Sequence, residues 1–187
     1  MKPTFYILAG ANGSGKSTIS KVFLPAEGVA CVNPDDIAKE MNPRHPEKVQ
    51  VAAGREALRR VDDFIQKRVS FAIESTLSGF GYRKTIVRAR EEGFRVAIIY
   101  AFVDSPAVCI ARIAARVMRG GHDVPAEDVK RRYWKSKRNF WNEYAPMADY
   151  WTLLYNGEAQ VVMVAKKDSG GVAVFSNPLL KLFKEGL

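Results

Sequence analysis

Eight consecutive residues, Gly10-Ala11-Asn12-Gly13-Ser14-Gly15-Lys16-Ser17, match the pattern G-x-x-x-x-G-K-[ST] without a mismatch. Glycines at these places let successive backbone N–H groups point into one concavity, and a helix opening at its end adds a partial positive charge. Such a loop holds the phosphates of a nucleotide. Lys16 would reach the β- and γ-phosphates of ATP, the Ser17 hydroxyl would ligate Mg²⁺, and Thr18 completes the loop. The alternative is a glycine-rich strand-to-helix turn with no ligand.

Phosphoryl transfer to a hydroxyl also needs a carboxylate that accepts or orients the proton of the attacking oxygen. Asn33-Pro34-Asp35-Asp36 offers two, one to act as the base and one to cap the helix that follows. Phe71-Ala72-Ile73-Glu74-Ser75-Thr76 is an apolar run finishing in an acid, a pattern that sets a carboxylate on Mg²⁺ or its water. Glu74 is therefore expected as a metal ligand beside Ser17. Asp104 competes for this role, but it precedes Ser105-Pro106 and reads as part of a cap. Thr76 would donate to a substrate hydroxyl or phosphate, or lie idle on the surface.

Within residues 109–139 nine Lys and Arg stand against three Asp and Glu, a net +6 of the chain's +9. Cations are needed over a transferring phosphate, whose charge spreads across its equatorial oxygens. Arg116 and Arg119, one helical turn apart, are the candidates, with Arg131 or Arg132 joining from the next helix. Lys130, Lys135, Lys137 and Arg138 read as a solvated face. His122 is balanced between a phosphate or base contact and a structural role. Tyr133, Trp134, Phe140, Trp141 and Tyr144 follow helical spacing and read as core rather than as a base-stacking surface.

The elements that must position these residues follow from pattern. Short β-type runs fall at 4–9, 28–32, 69–73, 95–103 and 150–155. Helical punctuation lies between them: Pro46-Glu47 before the stripe Leu58, Val61 and Ile65, then Ser105-Pro106, then Asp123 as cap of a helix from Pro125. Strands alternating with helices imply an α/β, three-layer P-loop NTPase fold with a mostly parallel central sheet. Residues 160–165 and 171–175 read as a C-terminal antiparallel hairpin on its edge. The whole of 1–187 is expected to form one domain, with a helical lid over about 109–145 hinged at Gly120-Gly121.

Composition agrees. A chain of 187 residues, 47% hydrophobic and 26% charged, is globular rather than disordered. No apolar run approaches the roughly 20 residues of a membrane span, and no signal peptide is visible. Cys31 and Cys109 form neither a metal-ligand spacing nor a disulfide framework, which points to a reducing cytoplasm. The +9 charge calls for an anionic partner: phosphorylated small molecules first, nucleic acid second, and membrane last.

Taken together, the loop at 10–18, Asn33-Pro34-Asp35-Asp36-Ile37, Glu74-Ser75-Thr76-Leu77 and Arg116-Val117-Met118-Arg119-Gly120-Gly121-His122-Asp123-Val124-Pro125 resemble the zeta toxin family of P-loop kinases, in its compact branch. The resemblance implies an ATP- and Mg²⁺-dependent kinase that phosphorylates the 3′-hydroxyl of the sugar in UDP-N-acetylglucosamine. It implies Asp35 as general base, Glu74 and Thr76 as substrate-side residues, and Arg116 or Arg119 as lid arginines. It also points to an antitoxin as a candidate partner. Ser78 departs from the pattern, standing where those toxins usually place an arginine. Kinase action on nucleosides or on RNA or DNA ends, and a non-kinase ATP-binding regulatory module, are the alternatives.

Overall fold

The computed structural model describes residues 2–157 and 160–187. Its centre is β1 (Thr4–Ala9), which pairs in parallel with β3 (Phe71–Ser75) on one side and β4 (Arg95–Phe102) on the other. Outside β3 lies the three-residue strand β2 (Ala30–Val32), and outside β4 lies β5 (Tyr150–Asn156), both parallel. β6 (Val161–Asp168) and β7 (Gly171–Val174) then add antiparallel, giving the order β2-β3-β1-β4-β5-β6-β7. The expected mostly parallel sheet with a C-terminal hairpin is what forms.

Helices cover both faces, as a sheet buried on both sides requires. They are α1 (Lys16–Glu27), α2 (Pro34–Met41), α3 (Gln50–Lys67), α4 (Tyr82–Glu91), α5 (Pro106–Val117), α6 (Ala126–Asn139), a short α7 (Ala145–Met147) and α8 (Asn177–Lys184). A 3₁₀ turn at Pro46–Val49 precedes α3, and a π-helical turn at Phe140–Tyr144 follows α6. Among the described residues no helix is long and apolar enough to cross a membrane.

Several local expectations are corrected. The buried stripe of α3 is Ala53, Ala57, Val61 and Ile65, a strict i, i+4 row, while Leu58 faces solvent. Alanines take two of these four places, and α3 packs against α2. Asp123 does not cap α6: its carboxylate accepts from the amide of its own neighbour Val124 at 2.7 Å, and the helix starts behind Pro125. Lys137 leaves the solvated basic face altogether. It is buried, lies 5.0–5.4 Å from the ring centroids of Tyr133, Trp134 and Phe183, and donates to the Glu185 carbonyl at 3.1 Å. Burial lowers its pKa to about 8, with the charge of Glu185 working the other way.

The aromatic run after residue 132 is core at three of its five places, while Trp134 is exposed and Trp141 half-buried. Tyr133, Phe140 and Tyr144 are buried, and Phe140 stacks on Tyr100 at 4.3 Å. Helix α8 had no counterpart in the sequence reading. Ser176 caps it through the Leu179 amide at 3.4 Å, and its Phe183 is buried against Tyr100, Phe102 and Phe140.

Candidate active site

In a parallel sheet the loops beyond the carboxyl ends of the strands share one edge, and ligands bind there. Register fixes the alignment: Leu8 pairs with Glu74, and Ala9 pairs with both Ser75 and Tyr100. The loop that follows β1 therefore emerges beside the acid that ends β3. Gly10 takes φ +140° and Gly15 φ +94°, values that L side chains rarely adopt. Space forbids side chains there as well. A Cβ on Gly10 would run into the Ala101 carbonyl oxygen, and one on Gly15 into the Asn156 amide. α1 begins without a side-chain cap, leaving amides at its first turn available to an anion. Ser14, within the loop, has a buried hydroxyl that lacks a hydrogen-bond partner among the described residues.

The half-buried Lys16 ammonium donates to the Gly10 and Ala11 carbonyls, each at 2.9 Å. Burial lowers its pKa to about 8, opposed by the charges of Glu74, Cys109 and Asp35 and reinforced by Arg116. Ser17 donates to Glu74 Oε2 at 3.0 Å, and Ser20, one turn on, donates to Oε1 at 2.6 Å. Hydroxyl and carboxylate are the hard oxygen donors that Mg²⁺ takes, usually one or two from protein with phosphate and water completing the shell. Among the described residues no group of three or more His, Cys, Asp or Glu is gathered for a metal. The donor set fits an ion shared with a nucleotide's phosphates.

α2 places the two aspartates differently. Its cap is Asn33, whose Oδ1 accepts from the Asp35 amide at 3.0 Å, so neither aspartate has the capping task expected of one. Asp36 turns to Lys39 at 3.5 Å, whereas Asp35 lines a cleft of about 740 Å³. That cleft also receives Asn12, Gly13, Lys16, Ser17, Thr18, Glu74 and Thr76. Thr76 Oγ1 lies 2.9 Å from Ser78 Oγ. Asp104 stays out of it and accepts from the Tyr155 hydroxyl at 2.9 Å, while Ser105 caps α5.

Five cations enter the cleft, Lys16, Arg112, Arg116, Arg119 and Arg132, against the two carboxylates of Asp35 and Glu74. Arg116 donates to the His122 carbonyl at 2.6 Å, and Arg119 to the Ala115 carbonyl at 3.0 Å. His122 thus contributes its backbone to Arg116, and its ring is not part of the lining. Both arginines offered by the next helix pair with Asp128, Arg131 at 2.7 Å and Arg132 at 3.3 Å, but only Arg132 reaches the cleft, where it approaches Asn12 Oδ1 at 3.4 Å.

Four residues escaped the sequence reading. Arg112 donates to the Asn156 and Gly157 carbonyls at 3.0 and 3.1 Å, and Asn156 donates to the Ser14 carbonyl at 2.8 Å. Tyr82, the first residue of α4, lines the cleft, and Ser20 backs Glu74. The end of β5 carried no motif, and only the sheet brings it beside the phosphate loop.

Known proteins place the chain. A relative from Haemophilus influenzae, an uncharacterised protein, is 37% identical over 132 residues, covering 71% of this chain and 92% of its own. The crystal structure of AvrRxo1-ORF1:-ORF2 with ATP superposes at TM-score 0.83 with 19% identity, covering 99% of this chain, which in turn spans 64% of that one. The PezAT toxin-antitoxin system of Streptococcus pneumoniae gives TM-score 0.72 and 14% identity over 98% of this chain and 78% of its own. At such identities these two structures speak for the fold. The family model described as Zeta toxin matches residues 1–168, and the chain belongs to the zeta toxin family.

Proposed function

We propose that the protein transfers the γ-phosphoryl group of Mg²⁺-ATP to a hydroxyl of a small phosphorylated acceptor, a nucleotide sugar such as UDP-N-acetylglucosamine. One observation carries this reading. A single cleft gathers the phosphate loop, a carboxylate with no side-chain partner among the described residues, Asp35, and four arginines. A nucleotide switch needs the loop alone. A kinase needs all three.

In this reading Lys16 leaves the Gly10 and Ala11 carbonyls for the phosphates of ATP, a gain because phosphate oxygens carry full charge. Mg²⁺ held by Ser17 and Glu74 would supply charge neutralisation at the β- and γ-phosphates. Asp35 takes the proton as the acceptor oxygen forms its bond to Pγ and the bond from Pγ to the β-phosphate oxygen breaks. Arg116 and Arg119 neutralise the equatorial oxygens, and Arg112 and Arg132 leave positive charge for the acceptor's own phosphates. Glu74 and Thr76 hold the acceptor side. The chain acts as one domain with residues 109–145 as its helical lid, and an antitoxin that covers the cleft is its expected protein partner.

The test is to incubate the protein with Mg²⁺-ATP and a mixture of nucleotide sugars, nucleosides and oligonucleotides. Mass spectrometry should find a nucleotide sugar heavier by one phosphate. A labelled oligonucleotide in its place overturns the acceptor class, and ATP consumption that labels no acceptor overturns the kinase reading.

A further inference from the structure

The loop joining β3 to α4 has an unusual backbone. Leu77 sits at φ +51° and is buried, a conformation that a side chain with a Cβ adopts only when its surroundings impose it. Part of the imposition is local, since the Ser75 hydroxyl accepts from the Leu77 amide at 3.1 Å. The rest comes from one helix. Ser136 donates to the Thr76 carbonyl, Asn139 Nδ2 to the Leu77 carbonyl at 2.9 Å, and the Tyr144 hydroxyl to the Gly79 carbonyl at 2.7 Å. Behind them the Tyr100 hydroxyl lies 2.6 Å from Ser136 Oγ, tying the row to β4. Ser136, Asn139 and Tyr144 are all buried.

The π-helical turn at Phe140–Tyr144 makes this row possible. In an α-helix, five residues would rotate Tyr144 about 140° away from Asn139. The wider turn, with its i, i+5 repeat, brings residues five apart back to one side. Arg132, one turn before Ser136 on α6, reaches Asn12 in the phosphate loop. One helix therefore touches both the nucleotide half of the cleft and the loop that carries Thr76 to the acceptor half.

Resting on the kinase reading above, we propose that Ser136, Asn139 and Tyr144 are positioning residues for the phosphoryl acceptor. They fix the backbone of 76–79 so that Thr76 and the start of α4 at Tyr82 face the acceptor, and α6 sets the spacing between acceptor and nucleotide. None of the three lines the cleft, so they act through the loop they hold.

Tyr144→Phe removes a hydroxyl and keeps the ring, and Asn139→Leu removes the second donor at similar volume. With Mg²⁺-ATP and UDP-N-acetylglucosamine, each variant should raise the acceptor KM about threefold to tenfold, the worth of one net hydrogen bond. The ATP KM should stay within about twofold. Hydrogen exchange should quicken at amides 76–81 and not at 10–18. An unchanged acceptor KM, or equal losses for both substrates, overturns the proposal. Should the wild-type protein leave UDP-N-acetylglucosamine unphosphorylated, that acceptor fails while the exchange measurement still decides: unchanged exchange at 76–81 in both variants overturns the positioning role.

Discussion

Asn156 is the residue through which β5 grips the phosphate loop, and Asn156→Ala tests what that grip contributes. The Asn156 amide donates to the Ser14 carbonyl at 2.8 Å, and Ser14 is only 1% exposed. Removing the donor leaves a buried carbonyl unpaired, which costs about 1–3 kcal/mol. That cost must appear in one of two places. If the loop keeps its shape, the folded state loses about 1–3 kcal/mol and ATP binds as before. If the loop relaxes to wet its carbonyl, stability is spared and ATP must rebuild the loop, weakening its dissociation constant about 5- to 150-fold. Calorimetric titration with Mg²⁺-ATP and urea unfolding of the same preparation measure both terms. Their losses should sum to about 1–3 kcal/mol. A sum below about 0.5 kcal/mol, the usual scatter for a surface substitution, would refute the reasoning.

Asp35→Asn should lower kcat about 10²- to 10⁴-fold while Mg²⁺-ATP still binds, and Asp36→Asn should leave kcat near wild type; equal effects at the two positions in steady-state assays remove Asp35 from the base role. Lys16, with a pKa of about 8, should lose its proton in the free protein as pH rises, so kcat/KM for ATP falls above pH about 8. Bound phosphates draw the proton back, so kcat holds to higher pH, and parallel profiles of the two constants would contradict this. Lys137 also has its pKa lowered to about 8, whereas an unfolded lysine titrates at 10.5. Between these values the unfolded chain binds more protons, so folding stability rises with pH in that window. Urea midpoints of wild type should gain on those of Lys137→Met from pH 8 to 10, and a constant difference would show Lys137 to be solvated.

The nucleotide half of the site was legible because its chemistry is local. Eight consecutive residues carry the loop, and the pattern that names them also states what they bind. The strands around them were readable for the same reason, since a strand buried on both faces is an apolar run wherever its partners lie. What escaped depends on contacts between residues far apart in sequence. Asn156 meets Ser14 only because β5 lies next but one to β1 in the sheet order, and no spacing rule joins them. Tyr82 enters the cleft because the loop before it is tied to α6. Which residue caps α2 was not legible either: Asn33 takes that task, and of the two aspartates only Asp35 lines the cleft. Lys137 departs from the rule that charge runs face water because carbonyls at the end of α8 and the rings of Tyr133, Trp134 and Phe183 make its burial tolerable.

β2, with its three residues at the margin of the sheet, has a consequence for how such a protein changes over time. The groups that would handle ATP hang on β1, β3, β4 and β5, held by neighbours on both sides. The carboxylate that would meet the acceptor hangs on the shortest strand and the helix after it. Drift in α2 and α3 can therefore retune which hydroxyl is phosphorylated without disturbing the handling of ATP. In a lineage of such proteins the nucleotide would be inherited and the acceptor renegotiated, and libraries meant to redirect the enzyme belong at that margin.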